Sequence, residues 1–193
     1  GNVRDKLEKA RKSAETNPDY QRNVEALEKA LPERITIKQM DFRLGATWMP
    51  SKVVSAFVQN LFDGRGTIEY SSISNRWVED GWFPNKPEWN VIADGWHWYR
   101  GIDLVMHALN LKSPRAVRTE TSHGVKTTYT SPKATLLAQD KISQLQLKFR
   151  QWVMATPEAT RLVEDAYNEA TNNTNLVELN GDHLTLPGKA ENI

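Results

Sequence analysis

The stretch Arg43-Leu44-Gly45-Ala46-Thr47-Trp48-Met49-Pro50, with Ser51–Phe62 behind it, decides how the rest of the chain is read. Val53, Val54, Phe57, Val58, Leu61 and Phe62 recur at i, i+1, i+4, i+5, i+8 and i+9, one face of a 3.6-residue period, so the run predicts an amphipathic helix. Pro50 suits its start, where a missing N–H costs nothing. Gly45 opens backbone angles closed to other residues, and Trp48 offers a large apolar anchor beside it. A glycine turn, a buried tryptophan and a helix start within eight residues predict a fixed corner against which the core assembles.

Working outward, the region before the corner reads as a helical hairpin. Val3, Leu7, Ala10 and Ala14 form one stripe and Tyr20, Val24, Leu27 and Leu31 a second, with Asn17-Pro18 between them and Pro32 as a stop. Both helices are dense in Lys, Arg and Glu, which predicts a solvated exterior.

After the corner the period changes. Thr67–Ser74, Trp77-Val78 and Pro87–Ala93 alternate in the manner of two or three antiparallel strands, closed by Asp94-Gly95. Trp96–Tyr99 then leads to a helical stripe of Ile102, Val105, Met106 and Leu109. Ala116–Thr121 and Val125–Thr130 predict a strand pair around Ser122-His123-Gly124, with one face exposed. Ser131-Pro132 marks a strong helix start, with Ala134, Ala138, Ile142, Leu145, Phe149, Trp152 and Val153 on one side. Thr156-Pro157 opens a further helix expected to end at Asn172–Asn175, before a short strand over Leu176–Leu179 and a tail. The expected architecture is α+β: a small antiparallel sheet packed by helices from both ends of the chain, with an N-terminal helical hairpin. The expected divisions are 1–34 as a lead-in hairpin, 35–175 as the α+β domain and 176–193 as strand and tail leading to a following domain.

At 193 residues without cysteine, the chain can bury roughly 70% of its unfolded surface without staples, and disulfides, thiol catalysis and Cys-ligated metal are excluded. No apolar run approaches 18 residues and no charged-then-apolar leader opens the chain, so neither a membrane span nor a signal peptide is predicted. The formal charge of +1 conceals strong polarity. Arg100 to Arg150 holds 9 Lys and Arg against 3 Asp and Glu, whereas Gln151 to Ile193 holds 2 against 7. A basic quarter beside an acidic one fits either a nucleic-acid face or two parts that attract each other.

Catalytic signatures are missing. The sequence has no phosphate-cradling GxxxxGK[ST], no GxGxxG after a strand, no HExxH and no GxSxG. The Asp/Asn-Pro-Pro-aromatic tetrad with which amino-methyltransferases hold a flipped base is also missing. His97, Asp103 and His107 offer a minor alternative, since Asp103 and His107 share a helix face at i, i+4 and could ligate a metal. His123 at a hairpin tip and His183 in the tail read as solvated.

The sharper candidates are aromatic and basic. Five of seven tryptophans lie between Trp77 and Trp98. Trp82, in a Gly/Pro loop, is expected to be exposed, and Trp96 and Trp98 share one side of an extended segment. Exposed rings of this kind can stack bases. Arg115, Arg118, Lys126, Lys133, Lys141 and Lys148 form the expected phosphate-contacting set, provided that the hairpin lies beside the long helix. No cofactor or metal is expected.

The corner Asp41-Phe42-Arg43-Leu44-Gly45-Ala46-Thr47-Trp48-Met49-Pro50 resembles a segment of very large DNA methylase–helicase fusion proteins of phages, plasmids and integrative elements, antirestriction proteins among them. Tyr167-Asn168-Glu169 and Asn180-Gly181-Asp182-His183-Leu184-Thr185-Leu186-Pro187-Gly188 resemble the end of that segment. In that family an N6-adenine methyltransferase part precedes the segment and an SNF2-type helicase part follows it. The resemblance implies a cytoplasmic DNA-processing machine and a connecting, non-enzymatic domain. Its implied partners are duplex DNA and the two neighbouring domains of the same chain. The alternative is a protein-docking or structural module that does not bind nucleic acid, acting through the charged Val3–Leu31 hairpin and the acidic tail.

Overall fold

A computed structural model describes residues 3–17, 21–29 and 33–179. They form two compact units: residues 37–164 make the larger, and those up to 36 with those from 165 onward make the smaller.

The larger unit is built on the corner. Gly45 adopts φ +93°, with the carbonyl oxygens of Leu109 and Ala108 so close that a Cβ would stand 2.6 and 2.9 Å from them. Leu44 beside it is fully buried, and its backbone is bracketed by Gln146. The Leu44 N–H donates to Oε1 at 2.9 Å and Nε2 donates to its carbonyl at 3.2 Å. Helix α3 (Ser51–Phe62) follows, buried through Val53, Val54, Phe57, Val58 and Phe62. Trp48 is half-buried and is not the buried anchor that its size suggests. Phe42, Leu44 and Met49 take the interior positions around the turn instead.

Strands β1 (Thr67–Ser71) and β2 (Arg76–Asp80) pair in antiparallel register. The expected strand over Thr67–Ser74 stops at Ser71, because Ser72–Asn75 are used to turn the chain, with Asn75 at φ +49°. Ser55 of α3 fixes the ribbon by accepting from the N–H of Ile68 and donating to its carbonyl. A 3-10 turn at Pro87–Trp89 replaces the first half of the strand expected over Pro87–Ala93: the fixed φ of Pro87 suits a helical start, and the N–H groups of Trp89 and Asn90 donate to the carbonyls of Lys86 and Pro87. Strand β3 (Val91–Ala93) then pairs with β4 (Trp96–Tyr99) around Asp94-Gly95, so that dipeptide is a hairpin turn and not the close of a set.

Helix α4 (Gly101–Leu109) leads through Pro114 to β5 (Val117–Ser122) and β6 (Val125–Thr130). Helix α5 (Pro132–Ala155) starts where expected: Ser131 Oγ accepts from the N–H of Ala134. Ala134, Ala138, Leu145, Phe149 and Val153 of α5 are buried, and Phe149 meets Phe57 and Phe42 edge-on at 5.2 and 6.1 Å. The α+β expectation holds, with the strands divided among three two-stranded ribbons.

In the smaller unit, α1 (Val3–Thr16) and α2 (Gln21–Lys29) bury Leu7 and Val24 and are joined by Arg11 and Glu28 at 2.7 Å. Helix α6 (Pro157–Leu179) belongs to the larger unit through Glu164 and to the smaller from Asp165. It runs through the strand expected at Leu176–Leu179, because nothing after Pro157 and before Gly181 is glycine or proline. Buried Asn168 brackets the backbone of Ile35 from both sides, at 2.9 and 2.8 Å. The expected tail and the Asn180–Gly188 motif lie outside the described residues. Among the described residues, no helix is long and apolar enough to cross a membrane.

Candidate nucleic-acid interface

The β5–β6 pair is an arm. Register places Ser122 opposite Val125, leaving His123 and Gly124 as a two-residue loop with φ +51° and +79°. Two positive φ values in a two-residue loop define the type I′ turn, whose twist matches that of the flanking strands. Every residue from Thr121 to Thr130 is exposed. A single open face was expected; beyond the foot of the arm both are open, because no element packs flat against either side there and the threonines tolerate water on both.

The arm is anchored at its foot. Paired residues of an antiparallel ribbon point to the same face, so Arg118 and Tyr129 emerge together. Both meet Trp96 of β4: the Tyr129 ring stacks on it at 5.9 Å and the Arg118 guanidinium lies 4.1 Å from its centroid. Arg118 also pairs with Glu120 at 2.9 Å. On the other side of the foot, Ser131 N–H donates to Ala116 O, and Ala116 N–H donates to Thr135 Oγ1. Tyr99 sits nearby. Burial pushes its hydroxyl above the ordinary phenol range, and a hydrogen bond with the Arg115 backbone works against the shift.

The expected cations divide by whether an acid or a carbonyl oxygen holds them among the described residues. Arg115, Lys126, Lys133 and Lys148 are exposed and take part in none of the ion pairs among the described residues. Lys141 is anchored by donation to the carbonyl of Glu88 at 2.6 Å, and Arg118 is shared between Glu120 and Trp96. At 100° per residue, Lys133, Lys141 and Lys148 fall within about 80° of each other and extend over roughly 22 Å of α5. Lys141 and Lys148 both lie 5.9 Å from the buried ring of Trp89.

The tryptophans separate similarly. Trp82 is 63% exposed, as its loop suggests. Trp96 is half-buried under Tyr129 and Arg118, and Trp98 is half-buried with Nε1 donating to Ala93 O at 3.1 Å, so both serve the body of the unit. Neither is as open as Trp82, the accessible ring of the three.

The metal alternative is not supported by the geometry. His107 Nδ1 donates to the Asp103 carbonyl at 2.8 Å, and the Asp103 carboxylate accepts from the Arg100 backbone and guanidinium. Among the described residues, no three His, Asp or Glu side chains gather closely enough to hold a metal ion.

Sequence reasoning missed the bracketing amides. Asn110 accepts from the Trp77 N–H at 2.8 Å and donates to the Trp77 carbonyl at 3.1 Å, as Gln146 does for Leu44. Asn90, buried, accepts from the Gly101 N–H at 3.1 Å.

Fold and site together define a small α+β domain that presents an open β-ribbon beside a lysine-bearing helix. Residues 43–173, beginning at the corner arginine, match the sequence profile of a domain of unknown function, DUF8437, and the chain belongs to that family. No curated protein and no solved structure matches the chain.

Proposed function

We propose that this chain is a non-catalytic DNA-handling domain that contacts the duplex backbone through the β5–β6 arm and the lysine flank of α5. Its setting is a cytoplasmic methyltransferase–helicase protein in which it connects the two enzymatic parts. The observation that carries the reading is the arm itself: an open ribbon with Arg115, Lys126 and Lys133 on it or at its foot, none of them in an ion pair among the described residues, continued by Lys148. Free surface cations are what displace condensed counterions from DNA. The test is an anisotropy titration of duplex DNA at low and high salt with wild type and with Lys126→Glu/Lys133→Glu/Lys148→Glu. Binding at low salt that the triple variant loses supports the reading. Absence of binding, or binding that the triple variant keeps, overturns it.

A second reading, docking to a neighbouring protein domain, is favoured by one observation. Leu136, Leu147 and Met154 stand 66%, 57% and 47% exposed within one narrow sector of α5. It predicts no duplex binding at low salt and a helicase-domain interaction that Leu147→Glu abolishes.

A further inference from the structure

The two faces of the β5–β6 ribbon differ chemically. Register puts Arg118 with Tyr129, Glu120 with Thr127, and Ser122 with Val125 on the face anchored to Trp96. The other face carries Val117 with Thr130, Thr119 with Thr128, and Thr121 with Lys126. It holds four threonines, one lysine and no acid; the ribbon's one carboxylate, Glu120, lies on the opposite face and is bound to Arg118. The hydroxyls of Thr119 and Thr128 stand 3.2 Å apart, so the row is a continuous strip of donors, acceptors and methyl groups.

Dimensions match this strip to one target. A six-residue strand is roughly 20 Å long, and two strands stand about 4.8 Å apart. The major groove of undistorted duplex DNA, about 12 Å wide and 8.5 Å deep, admits a two-stranded ribbon, whereas the minor groove, about 6 Å wide, takes one only once the duplex is deformed to widen it. The type I′ turn adds no bulk at the tip. Threonine hydroxyls can meet base edges, and threonine methyls can meet the thymine methyl. Arg115 and Lys133 at the foot are exposed, and phosphate contacts at the border of a groove are what position a protein on the duplex. Segment 115–133 carries Arg115, Arg118, Lys126 and Lys133 against Glu120 alone, a net +3. The ribbon's open edges would also accept a strand from another protein, but that mode draws its affinity from main-chain hydrogen bonds and its specificity from side-chain pockets, and makes no use of the cations gathered here.

We propose that the threonine-lined face of the β5–β6 ribbon enters the major groove of duplex DNA, with Arg115 and Lys133 on the bordering phosphates. This rests on the duplex-binding reading above and adds to it the groove and the face.

The test compares two duplexes of one sequence. One is unmodified, and the other carries glucosylated 5-hydroxymethylcytosine, whose sugars fill the major groove without changing the phosphate charge. The full chain is titrated against both at low salt. The unmodified duplex is expected to bind at least about tenfold more tightly, and prior saturation with netropsin, a minor-groove ligand, is expected to change affinity by less than about twofold. Two exposed single substitutions of equal charge assign the face. Thr121→Glu is expected to cost about tenfold and Thr127→Glu, on the anchored face, no more than about twofold. Far-ultraviolet circular dichroism verifies that both variants fold. Equal, salt-sensitive binding of the two duplexes overturns groove entry while leaving duplex binding intact. Equal losses from the two substitutions overturn the face. No binding of either duplex defeats the underlying reading and this inference together.

Discussion

Replacing Gly45 with alanine tests the corner on which the larger unit is built. At φ +93° an L-residue is strained, at a cost of roughly 1–2 kcal/mol. The added Cβ would lie 2.6 Å from Leu109 O, 2.9 Å from Ala108 O and 2.9 Å from Leu111 Cδ2. Two of these neighbours are backbone atoms of α4, so relief requires moving the helix end. Overpacking of that kind costs a further ~1–3 kcal/mol. The sum, roughly 2–5 kcal/mol, is a large share of the ~5–15 kcal/mol that holds a typical domain together. Gly124→Ala is the control: its φ is +79°, but nothing stands within 4 Å of its Cβ, so the backbone cost acts alone. Urea denaturation followed by tryptophan fluorescence measures both. Gly45→Ala is expected to lose at least about 1 kcal/mol more than Gly124→Ala, with a melting temperature lower than wild type by several degrees. A Gly45→Ala midpoint equal to that of wild type, or to that of Gly124→Ala, would show that the corner yields and refute the packing argument.

Three further outcomes follow from the side chains described. Asn110→Ala strands the Trp77 N–H and carbonyl beneath β2 and is expected to cost roughly 2–4 kcal/mol in the same assay, with Asn110→Asp intermediate because it keeps the acceptor. Trp96→Ala removes the stack on Tyr129 and the cation contact with Arg118, so amide hydrogen exchange is expected to speed up through β5 and β6 while α3 stays protected; unchanged exchange would mean that the arm is held by other contacts. Partial burial pushes the Glu79 carboxyl above the ordinary carboxylate range, with Arg100 opposing the shift and Asp103 adding to it. The folded chain therefore holds that proton more tightly than the unfolded chain, and this contribution to stability declines as pH rises through the raised value. Glu79→Gln is expected to flatten that decline and to raise stability at neutral pH, read from urea midpoints across the mildly acidic range; a steeper decline in the variant would reverse the sign.

Elements governed by periodicity were legible in the sequence. The stripe of Val53, Val54, Phe57 and Val58 marked α3, and Ser131-Pro132 marked the start of α5, because helix burial and capping are local. Short ambiguous segments and residues that serve a distant partner were not. Pro87–Trp89 alternates like a strand yet turns, because Pro87 pre-sets a helical start whose carbonyl accepts from Asn90 N–H. Leu176–Leu179 looks like a strand but simply extends α6. Asn110, Gln146 and Asn168 each serve one backbone residue far away in the sequence, a role that leaves no local pattern. At the candidate site the residue types were legible, but which cations were engaged was not: the pairing of Arg118 with Glu120 and the anchoring of Lys141 to a carbonyl depend on the fold.

The central claim is that an open ribbon and a helix flank offer free positive charge to duplex DNA. The salt dependence of duplex affinity tests it most directly. With about five phosphates engaged, log affinity is expected to fall against log salt with a slope near −4 to −5, and Lys126→Glu/Lys133→Glu/Lys148→Glu is expected to flatten it by about 3. A slope near zero, or one that the triple substitution leaves unchanged, contradicts the claim.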